Sequence, residues 1–122
     1  MYDLLVELED EDTLRRLTPS IAGLAQIPVR GVILTARAST PGIDFVSRFF
    51  APRLGVDEDP VCGSAHCCLG PYWGAKLGKT DLVAYQASTR GGLLRIGLRG
   101  ERVTLAGRAV TTLRGSILHE QA

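Results

Sequence analysis

The sequence predicts an α+β fold: a curved, barrel-like β-sheet wrapped around one buried central helix. Three observations predict it. Between Gly63 and Leu77 apolar side chains cover most of a helical circumference, which implies burial on several sides. Segments with strand character stand before this helix. After it come further short strand candidates separated by turn signals. A length of 122 residues fits a single domain, residues 1–122, large enough to bury a core.

The elements follow in order. Asp3 to Leu8 reads as a strand with Leu4, Val6 and Leu8 on one face. Asp10 or Asp12 caps a helix whose apolar side is Leu14 and Leu17, and Thr18-Pro19 stops or restarts it. Ile21, Leu24 and Ile27 keep helical spacing up to Pro28. Val29 to Ala38 is the strongest strand, β-branched in its middle and apolar enough to be central. Ser39-Thr40-Pro41-Gly42 is a turn, and Ile43 to Phe50 is another strand, closed by Ala51-Pro52. Arg53 to Pro60 is read as a loop leading into the helix. Pro71 should kink or divide that helix, and Gly78 suits the position just past its end. Leu82 to Ser88, Leu93 to Leu98, Arg102 to Leu105 and Ala109 to Leu113 are the later strands, with a hairpin turn at Gly100-Glu101. His119 to Ala122 is expected to fray.

Composition excludes some functions. The formal net charge is +1, so no global field favours nucleic acid or an anionic membrane. No apolar run is long enough to span a bilayer, and the start shows no secretory pattern. The three cysteines bunch at Cys62, Cys67 and Cys68, whereas a disulfide framework would spread them out. A cytoplasmic protein with reduced thiols is the simplest expectation.

The chemistry concentrates at Glu58-Asp59-Pro60-Val61-Cys62-Gly63-Ser64-Ala65-His66. A loop of carboxylates, proline, glycine and serine feeds the start of the apolar helix. The first N–H groups of a helix lack intrahelical partners, and the dipole is positive there. Gly63 lets a ligand approach the backbone and Ser64 adds a hydroxyl, so the pair suits a carboxylate or phosphate.

The residues from Asp44 to Gly107 resemble the phenazine-biosynthesis PhzF-like family, relatives of diaminopimelate epimerase. Asp44 to Pro52 is similar to the family's strand before the active-site loop, and Glu58 to His66 to its signature loop. Gln86 to Gly92 and Gly107 to Val110 resemble its later strands, and the opening segment fits the start of its second lobe. The resemblance implies two similar lobes, each a barrel-like sheet around a helix, with the active site between them. It implies proton abstraction and return without a cofactor, giving isomerisation or epimerisation of a small carboxylate-bearing metabolite. It makes this chain the second lobe alone. The main acid/base glutamate belongs to the first lobe, so a homodimer or a separately encoded first lobe is the expected partner. Asp59 and Ser64 are then the catalytic candidates, and Gly63, Ser64 and Asp59 the substrate-binding ones. Cys62 stands where the family often has threonine, so the cysteine chemistry of the epimerase relatives is not simply inherited.

Each residue also has a plainer role. Asp59 before a proline can simply bond nearby N–H groups. Glu58 suits loop bracing. Gly63 and Ser64 can close the loop and cap the helix. Cys62 is either a thiol nucleophile near a helix start or a small buried hydrophobe, and no dedicated base accompanies it. Ser64 lacks the G-x-S-x-G elbow of a hydrolase. Cys62, His66 and Cys67 crowd one helix start without a second ligand pair, so no metal is expected. Tyr72 and Trp73 read as core with hydrogen-bonded polar ends. Arg90-Gly91-Gly92 suits either a substrate anion or a solvated hairpin turn. The alternative to an isomerase lobe is a non-catalytic module that binds a small acid or self-associates.

Overall fold

Alternation along one strand divides the core in two. In the computed structural model, which describes residues 2–119, the strand Phe45–Ala51 is buried at every position but Arg48. Its Phe45, Phe49 and Ala51 join one apolar cluster and its Val46 and Phe50 the other, the outcome of a period of two with both faces covered. The elements in chain order are β1 (Leu4–Glu7), α1 (Glu11–Arg16), α2 (Ile21–Ala25), β2 (Val32–Arg37), β3 (Phe45–Ala51), β4 (Val56–Asp59), α3 (Gly63–Leu77), β5 (Asp81–Gln86), β6 (Gly92–Arg99) and β7 (Arg102–Ala106). A 3₁₀ turn, Pro52–Leu54, joins β3 to β4.

The sheet is open and runs β1-β2-β3-β5-β6-β7. β1 lies parallel to β2, and β2 antiparallel to β3 from Val32↔Phe50 to Arg37↔Phe45. The far edge of β3 is shared. Phe45 to Ser47 pair in parallel with β5, and Phe49 and Ala51 pair with β4 across a bulge. β5, β6 and β7 form an antiparallel meander.

Helices α1 and α2 cover one face. Asp10 caps α1 by accepting from the Thr13 N–H at 2.7 Å, and Ser20 caps α2 by accepting from the Gly23 N–H at 3.1 Å. Thr18-Pro19 falls between them, so the chain stops and restarts there. Helix α3 lies on the other face, its Ala65, Leu69 and Trp73 packed with Ile33, Phe45, Phe49, Leu82 and Ile96. The Trp73 ring stacks on Phe45 at 5.7 Å, and its Nε1–H donates to Thr35 Oγ1 at 2.9 Å. Gly70 and Gly74 face β6 and bring α3 close: a Cβ on Gly74 would lie 2.5 Å from Leu98 Cδ1.

Several expectations need correction. Val56 to Asp59 is strand rather than loop; its run of acidic residues hides a conformation imposed by pairing with β3. Pro71 does not divide α3, which runs unbroken to Leu77 with Gly78 left-handed at its end. Cys67 and Pro71 both lie on the exposed side, so the carbonyl that Pro71 cannot bond meets solvent. That side, with Ser64, Cys68 and Ala75, is exposed, so α3 is buried on one flank rather than on several sides. Tyr72 is half-buried at the rim, where its hydroxyl donates to Glu7. Ala109 to Leu113 forms no strand, because no neighbouring edge accepts its backbone among the described residues. Of the expected tail, His119 is exposed and outside any element, and residues 120–122 lie outside those described.

Candidate functional site

The loop ahead of α3 is held by a side chain from β5. Gln86 is fully buried, accepts from the Cys62 N–H at 2.7 Å and donates to the Asp59 carbonyl at 2.6 Å. One amide thus fixes the chain on both sides of Pro60-Val61. Ser88 adds a second tie, donating to the Pro60 carbonyl at 2.7 Å while accepting from the Gly91 N–H at 3.0 Å. Asp59 ends β4, and its carboxylate accepts from the Val61 N–H at 3.2 Å, the plain turn-forming contact for an Asx residue.

Below the loop sits His66, buried completely. Its Nδ1 lies 2.7 Å from the Cys62 carbonyl and its Nε2 3.1 Å from Ser47 Oγ. A carbonyl only accepts, which assigns the proton to Nδ1 and leaves Nε2 accepting from the serine hydroxyl. Burial lowers the imidazole pKa, opposed by the bond to the Cys62 carbonyl. Both nitrogens are therefore occupied by the fold. Among the described residues no three His, Cys, Asp or Glu side chains gather as a metal site.

The start of α3 is open. Its cap position is Cys62, which makes no side-chain capping bond. Ser64 is already inside the helix and does not cap it, so that part of the sequence reading is corrected. The Ser64 hydroxyl accepts from Arg30 Nη2 at 2.9 Å and lies 3.3 Å from Cys62 Sγ. Arg30 is itself held by Asp3, with Nε to Oδ1 at 2.8 Å and a second bond from Nη2 to Oδ2. Asp3 raises the Arg30 pKa further, so the guanidinium is a permanent charge beside the helix start. Arg30, Asp3, Leu5, Ser64 and Cys68 line an open cleft of about 460 Å³.

Gly63 is exposed with no positive φ, and a Cβ there would meet only Leu105 Cδ1, at an ordinary 3.8 Å. The fold itself does not require glycine at this position. A free backbone beside unpaired N–H donors and a fixed cation can hold an oxyanion.

Of the residues singled out in the sequence, Gly63 and Ser64 lie exposed at the helix start. Asp59 is half-buried and joined to Cys62 through Gln86. Glu58 braces: it takes a bidentate ion pair from Arg48, at 2.8 and 3.0 Å, while Arg48 Nη1 also donates to the Leu14 and Leu17 carbonyls. Arg90 stands with Arg108 beside Val61 in a separate cleft. Sequence reasoning missed Arg30, which reaches Ser64 across 34 positions with no local signal. It also missed the stapling role of Gln86, for which a polar residue ending the apolar run of β5 is a usable sign.

Comparison with known proteins places this geometry among relatives. A family model described as phenazine biosynthesis-like protein matches residues 1–115. An uncharacterized isomerase of Halalkalibacterium halodurans is 52% identical over 117 residues, covering 96% of this chain and 44% of the relative. An uncharacterized isomerase of Pseudomonas aeruginosa is 57% identical over 114 residues, covering 93% and 43%. The crystal structure of a putative phenazine biosynthesis PhzC/PhzF protein from Clostridium difficile superposes with a TM-score of 0.84 at 42% identity, over 94% of this chain and 44% of that one. A PhzF-family crystal structure from Enterococcus faecalis gives 0.79 at 46% identity, over 88% and 42%. The chain thus spans less than half the length of these relatives.

Proposed function

The chain belongs to the phenazine biosynthesis-like family, and on that premise we propose that it is one lobe of a cofactor-independent isomerase that moves a proton on a small carboxylate-bearing metabolite. The observation that carries the reading is the start of α3, where exposed N–H groups, a glycine the fold does not need and an Arg30-held serine hydroxyl stand together. The substrate carboxylate sits on the Gly63 and Ser64 N–H groups. Donors fixed in advance stabilise an enolate without reorganising. Asp59 orients the substrate's ammonium, and Ser64 positions the reacting end.

Proton abstraction also needs a base within hydrogen-bond reach. Glu58 is committed to Arg48 and His66 to Cys62 and Ser47. The base is therefore proposed to come from a second lobe, carried by the same polypeptide, a separate one or a second copy. The same reading takes the sheet as curving around α3, supported by the spread of its partners from Ile33 on β2 to Leu105 on β7. Free thiols at Cys62, Cys67 and Cys68 suit the reducing cytoplasm.

The test is amide chemical-shift titration of the 122-residue chain with alanine and with propionate. Both ligands should move the Gly63 and Ser64 amides. Ser64→Ala should weaken both, and Asp59→Asn only the amino acid. Solvent deuterium should enter neither ligand above background unless the second lobe is supplied. Shifts that bypass Gly63 and Ser64 would refute the site.

A further inference from the structure

We propose that the cleft between Arg90 and Arg108 is a second anion subsite, and that the ligand of the α3 site is accordingly a small metabolite with two anionic groups. The substrate class rests on the reading of Gly63 and Ser64 as the first subsite; the cleft's own affinity for anions does not.

The cleft has a volume of about 420 Å³, and among its walls are Val61, Gly91, Gly92 and Gly107 together with the two arginines. No acidic residue lines it. The ion pairs among the described residues engage Arg15, Arg30, Arg48, Lys76, Lys79 and Arg99, and none engages Arg90 or Arg108. Arg95 adjoins Arg108 in a neighbouring hollow but also lines a cleft with Asp44 and Asp81, so the uncompensated charge here is that of Arg90 and Arg108. Three glycines in the wall leave backbone rather than side chains facing the space. Guanidinium groups bind carboxylate or phosphate in two-pronged fashion.

The turn that carries Arg90 is built into the loop that carries the first subsite. Ser88 bonds the Pro60 carbonyl, and Gly92 abuts Val61 so tightly that a Cβ would lie 2.3 Å from Val61 Cγ2. Gly91 is left-handed, and a Cβ there would lie 2.0 Å from Tyr85 Oη, so the turn requires glycine at this position. Val61 lines the cleft and Gly63 opens α3 two residues later, a backbone span of at most about 7 Å. The near wall of the cleft therefore adjoins the first subsite.

The shared chemistry is an oxyanion, from either a second carboxylate or a phosphate, and the ligands alanine, glutamate and phosphoserine separate them. Calorimetry on the 122-residue chain should show at least one of the two dianionic ligands binding tenfold or more tightly than alanine, and the one that does names the group. In Arg90→Ala/Arg108→Ala that advantage should fall below twofold while alanine binding stays unchanged. Arg16→Ala, which removes a charge on the opposite face of the sheet, should keep it. Inorganic phosphate alone should shift the Gly91, Gly92 and Gly107 amides, and the double variant should abolish those shifts. This last arm stands even if alanine fails to bind at α3, which would sink the first subsite and the substrate class but leave the cleft. Neither dianion exceeding alanine would overturn the two-anion class. A dianion advantage that survives in the double variant, or phosphate shifts absent from the cleft, would overturn the cleft.

Discussion

Replacing Gln86 by leucine should destabilise the protein by about 3 kcal/mol and release the loop ahead of α3. The figure follows from two hydrogen bonds of unequal burial. The Cys62 N–H is buried, and losing its acceptor leaves a donor without water, a cost of roughly 2 kcal/mol. The Asp59 carbonyl is only partly buried, so water can replace the lost donor at roughly 1 kcal/mol. Leucine fills much the same volume, so no large cavity adds to the loss. Urea unfolding should show the midpoint falling with the slope unchanged, and hydrogen exchange should quicken at Cys62 before the hydrogen-bonded amides of α3. Gln86→Glu is the sharper variant. Its carboxylate still accepts from Cys62 but sets a charge against the Asp59 carbonyl oxygen, now 2.6 Å from a donor. Its deficit should therefore shrink as acid protonates the new side chain. A Gln86→Leu cost below about 1 kcal/mol, or unchanged exchange at Cys62, would refute the staple.

Three further outcomes are expected. Burial pushes the Glu11 carboxyl up, but bonds from the Arg15 guanidinium and the Thr40 and Ser39 N–H groups outweigh it and hold the pKa at about 2, against an ordinary 4.5. A lowered folded pKa stabilises above the unfolded value and is lost as pH falls from 4.5 towards 2, so the stability gap between wild type and Glu11→Gln should be on the order of 3 kcal/mol at pH 7 and close across that window in chemical denaturation. Gly74→Ala should cost about 1–2 kcal/mol despite alanine's better helix propensity, because the Lys79 carbonyl 2.9 Å from the new Cβ cannot swing aside, whereas Gly63→Ala should leave the melting temperature unchanged or raised while weakening carboxylate binding. Sedimentation at tens of micromolar should show self-association, since Val110, Leu113, Ile117 and Leu118 are each more than four-fifths exposed; a clean monomer there refutes it.

Local chemistry made much of the fold legible. Strand alternation, the cap at Asp10, the helix from Gly63 and the stop at Gly78 all act within a few residues, and sequence spacing reports them. What failed depends on partners far along the chain. Val56 to Asp59 is strand because β3 offers an edge, and Ala109 to Leu113 lacks that edge despite its strand-like composition. The helix α3 read as buried on several sides because hydropathy counts apolar side chains and does not say which of them find a neighbour. Cys67, Cys68 and Pro71 do not.

The same distinction governs the site. Gly63, Ser64 and Asp59 were legible because they are consecutive or nearly so, and their chemistry is that of a loop meeting a helix. Arg30 was not, because it reaches Ser64 only once β1 has paired with β2 and Asp3 has fixed the guanidinium. Yet Arg30 changes what the start of α3 can do. Asp59 sits by the helix start and opposes an anion through like charge, and Asp3 neutralises part of the arginine. The permanent guanidinium offsets one of these two carboxylates, while the N–H groups add directional donors. A site without net attraction for anions but with fixed donors discriminates by shape and by the position of each charge. The expected outcome is that a zwitterion such as alanine shifts the Gly63 and Ser64 amides at lower concentration than a simple anion such as propionate, and equal affinities would refute the contribution assigned to Asp59.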